Sequence, residues 1–246
     1  MVELLRTSIK GSVGRSLRVF CILLIFHCPR AMFAQPLEIG GGFMLALPQS
    51  QFKRNVEGIG GGLNAYLSYA QEEQPFAFGL QLTFINYGSE DTKAVIYGPG
   101  NPVDGKVTTS NNILSVHLLT RLQPNVGTVR PYLEGLAGWN HLFTETLLED
   151  EGTGETIQTR TNLDDDAFSY GAGGGVQIRL SGPDSLAAGE SSATWSLILG
   201  ARYMFGGRAK YLKEGSITRE NGRVIFTTLE STTDLFQFLI GVSYHF

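Results

Sequence analysis

Ser115 and His117 are the residues of this sequence whose types and spacing come nearest to hydrolytic chemistry. Two residues apart on a strand, they would share one face, and a histidine can act as the base that activates a serine nucleophile. Such a pair also needs an acid that orients the base, and no carboxylate suited to that role is evident. Since Ser-x-His is a very common combination, we predict that the protein is not an enzyme.

Carboxylates cluster in two acidic runs, Glu149-Asp150-Glu151 and Asp164-Asp165-Asp166. Oxygen ligands of this kind suit hard cations, but the runs lack the spacing of an EF-hand loop. We interpret them as residues of a solvated loop. Both cysteines, Cys21 and Cys28, lie within the first 34 residues, so the rest of the chain can form neither a disulfide nor a thiolate metal site. The sequence therefore predicts no bound metal and no cofactor.

Four charged residues, Glu38, Arg121, Glu134 and Arg179, are expected to lie close together. Each falls on the small-residue face of a predicted strand, near the end where the connections are short. Two carboxylates facing two guanidiniums would balance, and balance matters because an unpaired buried charge costs several kcal/mol. The network could gate or plug a narrow lumen, or it could be interior packing that specifies strand register, which is the interpretation we favour. Both interpretations exclude a wide aqueous channel.

Eight stretches of the sequence alternate apolar with small or polar residues, the pattern of a strand whose two faces meet different surroundings. These predicted strands must position the residues described above. In the third stretch, Phe and Leu occupy the even positions from 78 to 84, whereas Ala, Gly, Gln and Thr occupy the odd positions from 77 to 83. The same alternation places His117 and His245 inward and His141 outward. The predicted strands are residues 37–47, 59–70, 76–87, 112–123, 131–144, 167–180, 193–205 and 235–246.

The links between these stretches alternate in length. Residues 71–75, 124–130 and 181–192 form the shorter links. The longer ones, at 48–58, 88–111, 145–166 and 206–234, are mostly acidic or polar. Short periplasmic turns and long external loops are typical of outer-membrane barrels. Two long links are expected to contain hairpins of their own, one of them around Asn221-Gly222, which is a type I′ turn signal.

The first 34 residues differ from the rest, and we predict that they are a cleaved signal peptide. Basic residues precede the apolar run at 19–26, and Ala34 is a suitable last residue before cleavage. The apolar run spans roughly 12 Å as a helix, far short of the roughly 30 Å hydrocarbon core. The remaining domain, 35–246, has 14 Lys and Arg against 22 Asp and Glu, a net charge of about −8. Because nucleic-acid binding needs a basic surface, no nucleic-acid partner is expected.

The polar face of the predicted strands distinguishes a membrane barrel from a water-soluble one. A lipocalin-like barrel would carry Lys, Glu and Asp on that face. Here the face consists mainly of Gly, Ser, Thr, Gln and Asn, whose sizes suit the crowded interior of an eight-stranded barrel. The apolar face must then point outward into lipid, since such a belt in water would aggregate. Trp139, Trp195, Tyr132 and Tyr203 are assigned to interfacial aromatic girdles.

The C-terminal stretch alternates up to the last residue. Counting back from Phe246, every second residue is apolar or aromatic: Tyr244, Val242, Ile240, Phe238 and Phe236. This pattern resembles the terminal strand of bacterial outer-membrane β-barrel proteins, and residues 35–246 as a whole resemble the small eight-stranded members of that family. The resemblance implies that the last aromatic residue contributes to recognition by the assembly machinery. It rests on pattern rather than on a unique motif, and implies no residue-specific activity.

The sequence thus predicts an all-β protein, a closed antiparallel up-and-down transmembrane barrel of eight strands, located in the bacterial outer membrane. Its expected partners are outer-membrane lipid and, during biogenesis, the assembly machinery and periplasmic chaperones. We expect a structural or surface-contact role through the outer loops, including a possible extracellular ligand. A narrow porin-like channel is the alternative, and a lipid-modifying barrel enzyme is a less favoured one.

Overall fold

The computed structural model describes residues 37–56, 58–70, 74–96, 103–150, 156–181, 194–212, 218–220, 223–225 and 228–246. The predicted signal peptide and its cleavage site lie outside these ranges. None of the helical residues within them belongs to a helix long and apolar enough to cross a membrane.

Eight antiparallel strands close into a barrel in which each strand pairs with the next one around the wall, and the last pairs with the first. The strands are β1 (Leu37–Pro48), β2 (Gly60–Ala70), β3 (Phe76–Ile96), β4 (Val103–Leu122), β5 (Val129–Asp150), β6 (Thr156–Arg179), β7 (Thr194–Gly206) and β12 (Leu235–His245). Closure between β1 and β12 runs from Glu38 opposite His245 to Pro48 opposite Leu235. The predicted fold class and the strand number are confirmed.

Strands β3 to β6 are longer than predicted. The predicted spans of β1, β2, β7 and β12 agree with the observed ones to within a residue or two, whereas β3 continues to Ile96 and β4 already begins at Val103. β4 also pairs with β5 as far as Gly105 opposite Asp150. A four-stranded sheet made of β3, β4, β5 and β6 therefore projects from one end of the barrel, which we call the outer end.

The outer end also carries short elements between β7 and β12. Strand β8 (Arg208–Leu212) pairs with β11 (Thr228–Thr232), and β9 (Thr218–Glu220) pairs with β10 (Arg223–Ile225). Glu220 lies opposite Arg223, which confirms the predicted strand pairing; the predicted turn residues, Asn221-Gly222, lie outside the described ranges. The link after β1 contains an unpredicted six-residue helix, α1 (Ser50–Asn55).

Side chains of the barrel strands separate into an outward apolar face and an inward polar face. Each barrel strand exposes large apolar side chains, such as Phe43 of β1 (72% exposed), Leu118 of β4 (65%) and Ile240 of β12 (54%). Between them, side chains such as Gln81 and Gln177 are about 1% exposed and point into the barrel. This is the opposite of a soluble protein, in which apolar residues are the ones most often buried.

Phe52 of α1 closes the apolar cluster at the outer end of the barrel. Its ring is fully buried and packs edge-on against Tyr87 (5.2 Å between centroids) and Tyr211 (5.3 Å). Asn55 of the same helix donates to the Tyr211 hydroxyl at 2.7 Å, and that hydroxyl also meets Ser231 of β11 at 2.7 Å. Helix α1 is thereby joined both to the barrel and to the β8–β11 pair.

Candidate functional site: the charged interior of the barrel

Arg121 of β4 is buried inside the barrel, where it contacts two carboxylates and two phenol rings. Its guanidinium makes an ion pair with Glu134 of β5 at 3.1 Å and lies 3.8 Å from Glu38 of β1. The carbon at its centre also lies over two phenol rings, 4.8 Å from the centroid of Tyr66 and 4.5 Å from that of Tyr132. The arginine is 3% exposed, so these contacts replace water around a buried cation.

The other charge that meets Glu134 is Arg202 of β7, at 3.6 Å. Arg202 also donates to Gln237 of β12 at 2.6 Å and to Gln81 of β3 at 2.9 Å. Gln237 is the residue directly opposite Arg202 on the neighbouring strand, whereas the bond to Gln81 reaches the opposite side of the barrel. Alternation with outward Trp195 assigns Arg202 to the inward face of β7. It does not show that Arg202 joins the network, because period two says nothing about which side chains meet inside the barrel.

Glu38, Arg121, Glu134 and Arg179 all lie buried in the interior, between 3% and 7% exposed. Three of them meet, but the partner that completes two carboxylates and two guanidiniums is Arg202. Arg179 instead donates to the carbonyl of Gly127, in the turn before β5, at 2.8 Å. Among the described residues, Arg130 is a further buried guanidinium on the same inward face of the barrel.

Tyr66 and Tyr132 flank the charged residues, and both rings contact Arg121. Tyr66 donates its hydroxyl proton to Glu38 at 2.5 Å, and Gln177 donates to the same carboxylate oxygen at 3.0 Å. Tyr132 is only 3% exposed, so its assignment to an outer aromatic girdle is wrong; it alternates with outward Leu133 and therefore faces inward. Trp139 and Trp195 do face outward, at 63% and 49% exposure, and Tyr203 is partly exposed.

His117 bonds not to Ser115 but to Ser169 of β6. The His117 Nε2 atom lies 2.8 Å from the Ser169 hydroxyl, and both residues are buried. The other ring nitrogen, Nδ1, meets no hydrogen-bonding group in the described part of the chain, so no carboxylate orients the ring. The arrangement lacks the acid of a hydrolytic triad.

Acidic residues at the outer end bind neighbouring chain groups. Asp166 lies 2.9 Å from His141 Nδ1, and Asp165 accepts the backbone N–H of Lys210 at 2.8 Å. Within the described ranges, no three His, Cys, Asp or Glu residues are arranged to hold a metal ion. Part of the run at 149–151 lies outside those ranges.

The projecting sheet carries polar side chains that bond across its strands. Lys106 makes an ion pair with Asp91 at 2.9 Å, and Thr108 donates to the same carboxylate at 2.7 Å. Hydrogen bonds from Lys106 and Thr108 lower the pKa of the Asp91 carboxyl. The stabilisation that they contribute is therefore present at neutral pH and lost as the pH falls through that lowered pKa. Thr109 and Thr146 continue the polar surface onto β5, with their hydroxyls 3.2 Å apart.

The C-terminal strand β12 presents Phe238, Ile240, Val242, Tyr244 and Phe246 on its outer face, with Phe246 56% exposed. The backbone N–H of Phe246 donates to the carbonyl of Leu37 at 3.0 Å, so the last residue still pairs with β1. Its position lies at the end opposite the projecting sheet.

Fold and interior together define the class: a small, closed, eight-stranded antiparallel barrel with an apolar outside and a packed polar inside. No protein-family model matches the chain, and no curated protein matches it. Among solved structures, it is similar to Neisserial surface protein A (12% identity, TM-score 0.38, covering 85% of this chain and 95% of that one).

Two further solved structures show similar values. Ail, the attachment invasion locus protein of Yersinia pestis, in complex with the heparin analogue sucrose octasulfate, has 13% identity and a TM-score of 0.36, covering 86% of this chain and 99% of that one. A major outer membrane protein from Thermus thermophilus has 12% identity and a TM-score of 0.35, covering 85% and 99%. Similarity at this level carries no inference about function.

Proposed function

We propose that the protein is an integral outer-membrane barrel that blocks passage through its lumen and presents its outer elements for surface contact. The observation that carries this proposal is the continuous belt of exposed apolar side chains around all eight barrel strands. Examples from opposite sides of the belt are Leu80 of β3 (55% exposed) and Trp195 of β7 (49%). Apolar patches of this extent mark contact with lipid or with another protein.

Closure of the barrel is what makes residence in lipid possible. A bilayer offers no water to backbone N–H and C=O groups, so a spanning sheet must have no free edge within the hydrocarbon. Here β1 pairs with both β2 and β12 over the length of the barrel wall. An apolar outer face combined with complete pairing satisfies both conditions for a membrane-spanning sheet.

The projecting sheet supports the surface-contact role. From Gly88 to Ile96, β3 pairs with β4 and, within the described part of the chain, with no other strand. Nine residues extend about 30 Å at the rise of a strand, enough to reach beyond the lipid headgroups. An exposed strand edge can bind an extended segment of another protein by strand addition.

The two ends of the chain are assigned roles in export and assembly. We infer that residues 1–34 direct secretion and are removed, and that periplasmic chaperones and the outer-membrane assembly machinery receive the chain. The outward aromatic residues of β12, ending with Phe246, are proposed as the assembly signal. A narrow channel and a lipid-modifying enzyme are the alternatives; no contact described above favours either.

A pair of arginine substitutions tests the lipid-facing assignment. Leu118→Arg places a charge in the middle of the apolar belt and should destabilise the barrel in phospholipid vesicles by about 2–4 kcal/mol. Val126→Arg is the matched control, because Val126 is equally exposed (64%) but lies in a short turn; it should cost under about 1 kcal/mol. Reversible urea unfolding from vesicles gives both values. Equal costs, or a wild-type chain that folds and stays dissolved without detergent or lipid, would refute the proposal.

A further inference from the structure

Two arginines lie side by side at the inner end of the lumen, opposite the projecting sheet. Arg130 of β5 pairs in register with Gln177 of β6, and Arg179 is two residues further along β6 on the same inward face. Diagonal neighbours of this kind have Cα atoms within reach of long side chains. Arg130 is 3% exposed and Arg179 is 7% exposed, so the two positive charges share a buried environment.

Glu38, the described carboxylate at this end of the lumen, already has other partners. Glu38 accepts hydrogen bonds from Tyr66 and Gln177, and it lies 3.8 Å from Arg121. No ion pair joins Glu38 to Arg130 among the contacts of the described residues. The network of Glu38, Glu134, Arg121 and Arg202 is balanced in itself, so the charge of Arg130 is additional to it.

Arg130 also has donors that the chain does not use. Its Nε and Nη2 atoms are buried and meet no hydrogen-bond acceptor in the ranges described. His245 is 4% exposed and lies directly opposite Glu38 in the sheet, at the same end of the lumen. Its ring nitrogens meet no side-chain acceptor in the ranges described, and the ring lies beside the backbone of Phe246. Buried donors without acceptors are unfavourable, and native structures rarely retain them.

We infer that this inner cluster, Arg130, Arg179 and His245, binds a small inorganic oxyanion of the phosphate type. A guanidinium presents parallel N–H donors that match two oxygens of an oxyanion, so Arg130 can donate through both of its unused nitrogens. Arg179 supplies a second positive charge beside it, and His245 supplies a ring N–H. The anion offsets the buried positive charge of Arg130.

Phosphate could come from solution or from a phospholipid headgroup. The burial of all three side chains favours the free ion, because a headgroup carries its acyl chains and would have to bend into the lumen from the bilayer. This inference is independent of the surface-contact role, since the cluster lies at the other end of the barrel.

The test is thermal unfolding of the purified mature chain in a maltoside detergent, with inorganic phosphate titrated against methanesulfonate at constant ionic strength. Free ligand that binds only the folded state raises the unfolding midpoint in a saturable way. We expect a rise of about 5 °C at phosphate concentrations well above the dissociation constant. Arg130→Gln should abolish the rise. Arg208→Gln should retain it, because Arg208 is an exposed arginine paired with Glu230 on β11.

A wild-type midpoint that does not respond to phosphate, or a response unchanged in Arg130→Gln, overturns the site. Stabilisation by short-chain phosphatidylglycerol in place of phosphate overturns the assignment to a free ion. If Arg130→Gln does not fold, His245→Gln serves instead, with a weakened but saturable response expected; a response equal to that of wild type then counts against the site.

Discussion

Arg121 shows how a single buried cation can be stabilised by groups of different chemistry. One side of its guanidinium meets Glu134, and its faces meet the rings of Tyr66 and Tyr132. A carboxylate supplies charge, whereas a ring supplies its quadrupole and excludes water. Removing any one partner leaves the cation buried. The free energy of unfolding therefore falls by more than the lost contact itself contributes.

Glu134→Gln tests how much one carboxylate contributes to the stabilisation of the buried arginines. The substitution keeps the shape but leaves Arg121 and Arg202 with one fewer negative charge in a buried site. We expect the free energy of unfolding to fall by about 3–5 kcal/mol, measured by urea titration of the refolded barrel in detergent.

Glu230→Gln is the control for that experiment, because Glu230 also pairs with an arginine, Arg208, but at the surface. Its loss should cost under about 1 kcal/mol. Similar losses for the two variants would contradict the view that the interior pair is desolvated and tightly coupled.

Alternation was sufficient to predict that Glu38, Arg121 and Glu134 face inward, since period two assigns each residue to a face. It could not predict that Arg202 rather than Arg179 meets Glu134. That contact spans the lumen, and it depends on the stagger of non-adjacent strands and on the lengths of the side chains. The assignment of Tyr132 to an outer girdle is wrong because the face of a strand residue depends on its position. Tyr132 is next to outward Leu133 and so faces inward.

At the scale of elements, the strand segments in the wall were predictable and their extensions were not. In the wall, one face meets apolar surroundings and the other meets the packed interior, so the residues must alternate. Beyond Asn86, β3 has polar residues such as Ser89, Glu90 and Asp91 on both faces, and no alternation remains to be read. Long polar links therefore looked like loops although they are paired strands.

Helix α1 was missed for a related reason. It has six residues, too few to show a helical period, and its stability depends on Phe52 packing against residues distant in sequence. Phe52→Ala should therefore release the helix from the outer end. The loss of a buried Phe costs about 3 kcal/mol or more, and here the effect should be local.

Trypsin digestion measures that release, because Lys53 and Arg54 are exposed within α1. Cleavage there should become at least about tenfold faster in Phe52→Ala, since local opening exposes the backbone to the protease. Gln51→Ala, which changes an exposed side chain of the same helix, should leave the rate unchanged. A Phe52→Ala barrel as resistant as wild type would show that Phe52 does not hold the helix.

Strand β12 bears the proposed assembly signal. Deleting Phe246 removes an outward ring and the hydrogen bond to Leu37. We expect the amount of folded protein in the outer-membrane fraction to fall several-fold, measured by immunoblot of fractionated cells. Phe236→Ala, an aromatic loss on the same face at the outer end of β12, is the control and should have a smaller effect. Unchanged yield without Phe246 would contradict the signal.

The whole molecule is a tube filled by its own side chains. Arg202 of β7 bonds to Gln81 of β3, and Gln177 of β6 bonds to Glu38 of β1, so side-chain contacts cross the lumen at two levels. An eight-stranded barrel has an interior only wide enough for side chains. We expect no steady ion-selective current when the purified protein is inserted into planar bilayers. Reproducible single-channel steps, absent from a mock-purified sample, would instead favour the narrow channel.

The two interior tyrosines each lie against glycines of facing strands. A methyl group on Gly40 would overlap the Tyr66 ring, and one on Gly200 would overlap the Tyr132 hydroxyl. A slip of two residues keeps every side chain on its proper face, so polarity alone cannot prevent it. In one of the two directions, however, the slip would bring Tyr66 opposite Glu38 in place of Gly40, and Tyr132 opposite Gln177 in place of Gly175. The matched sizes of ring and glycine thus disfavour some of the misaligned registers that an alternating pattern alone would allow.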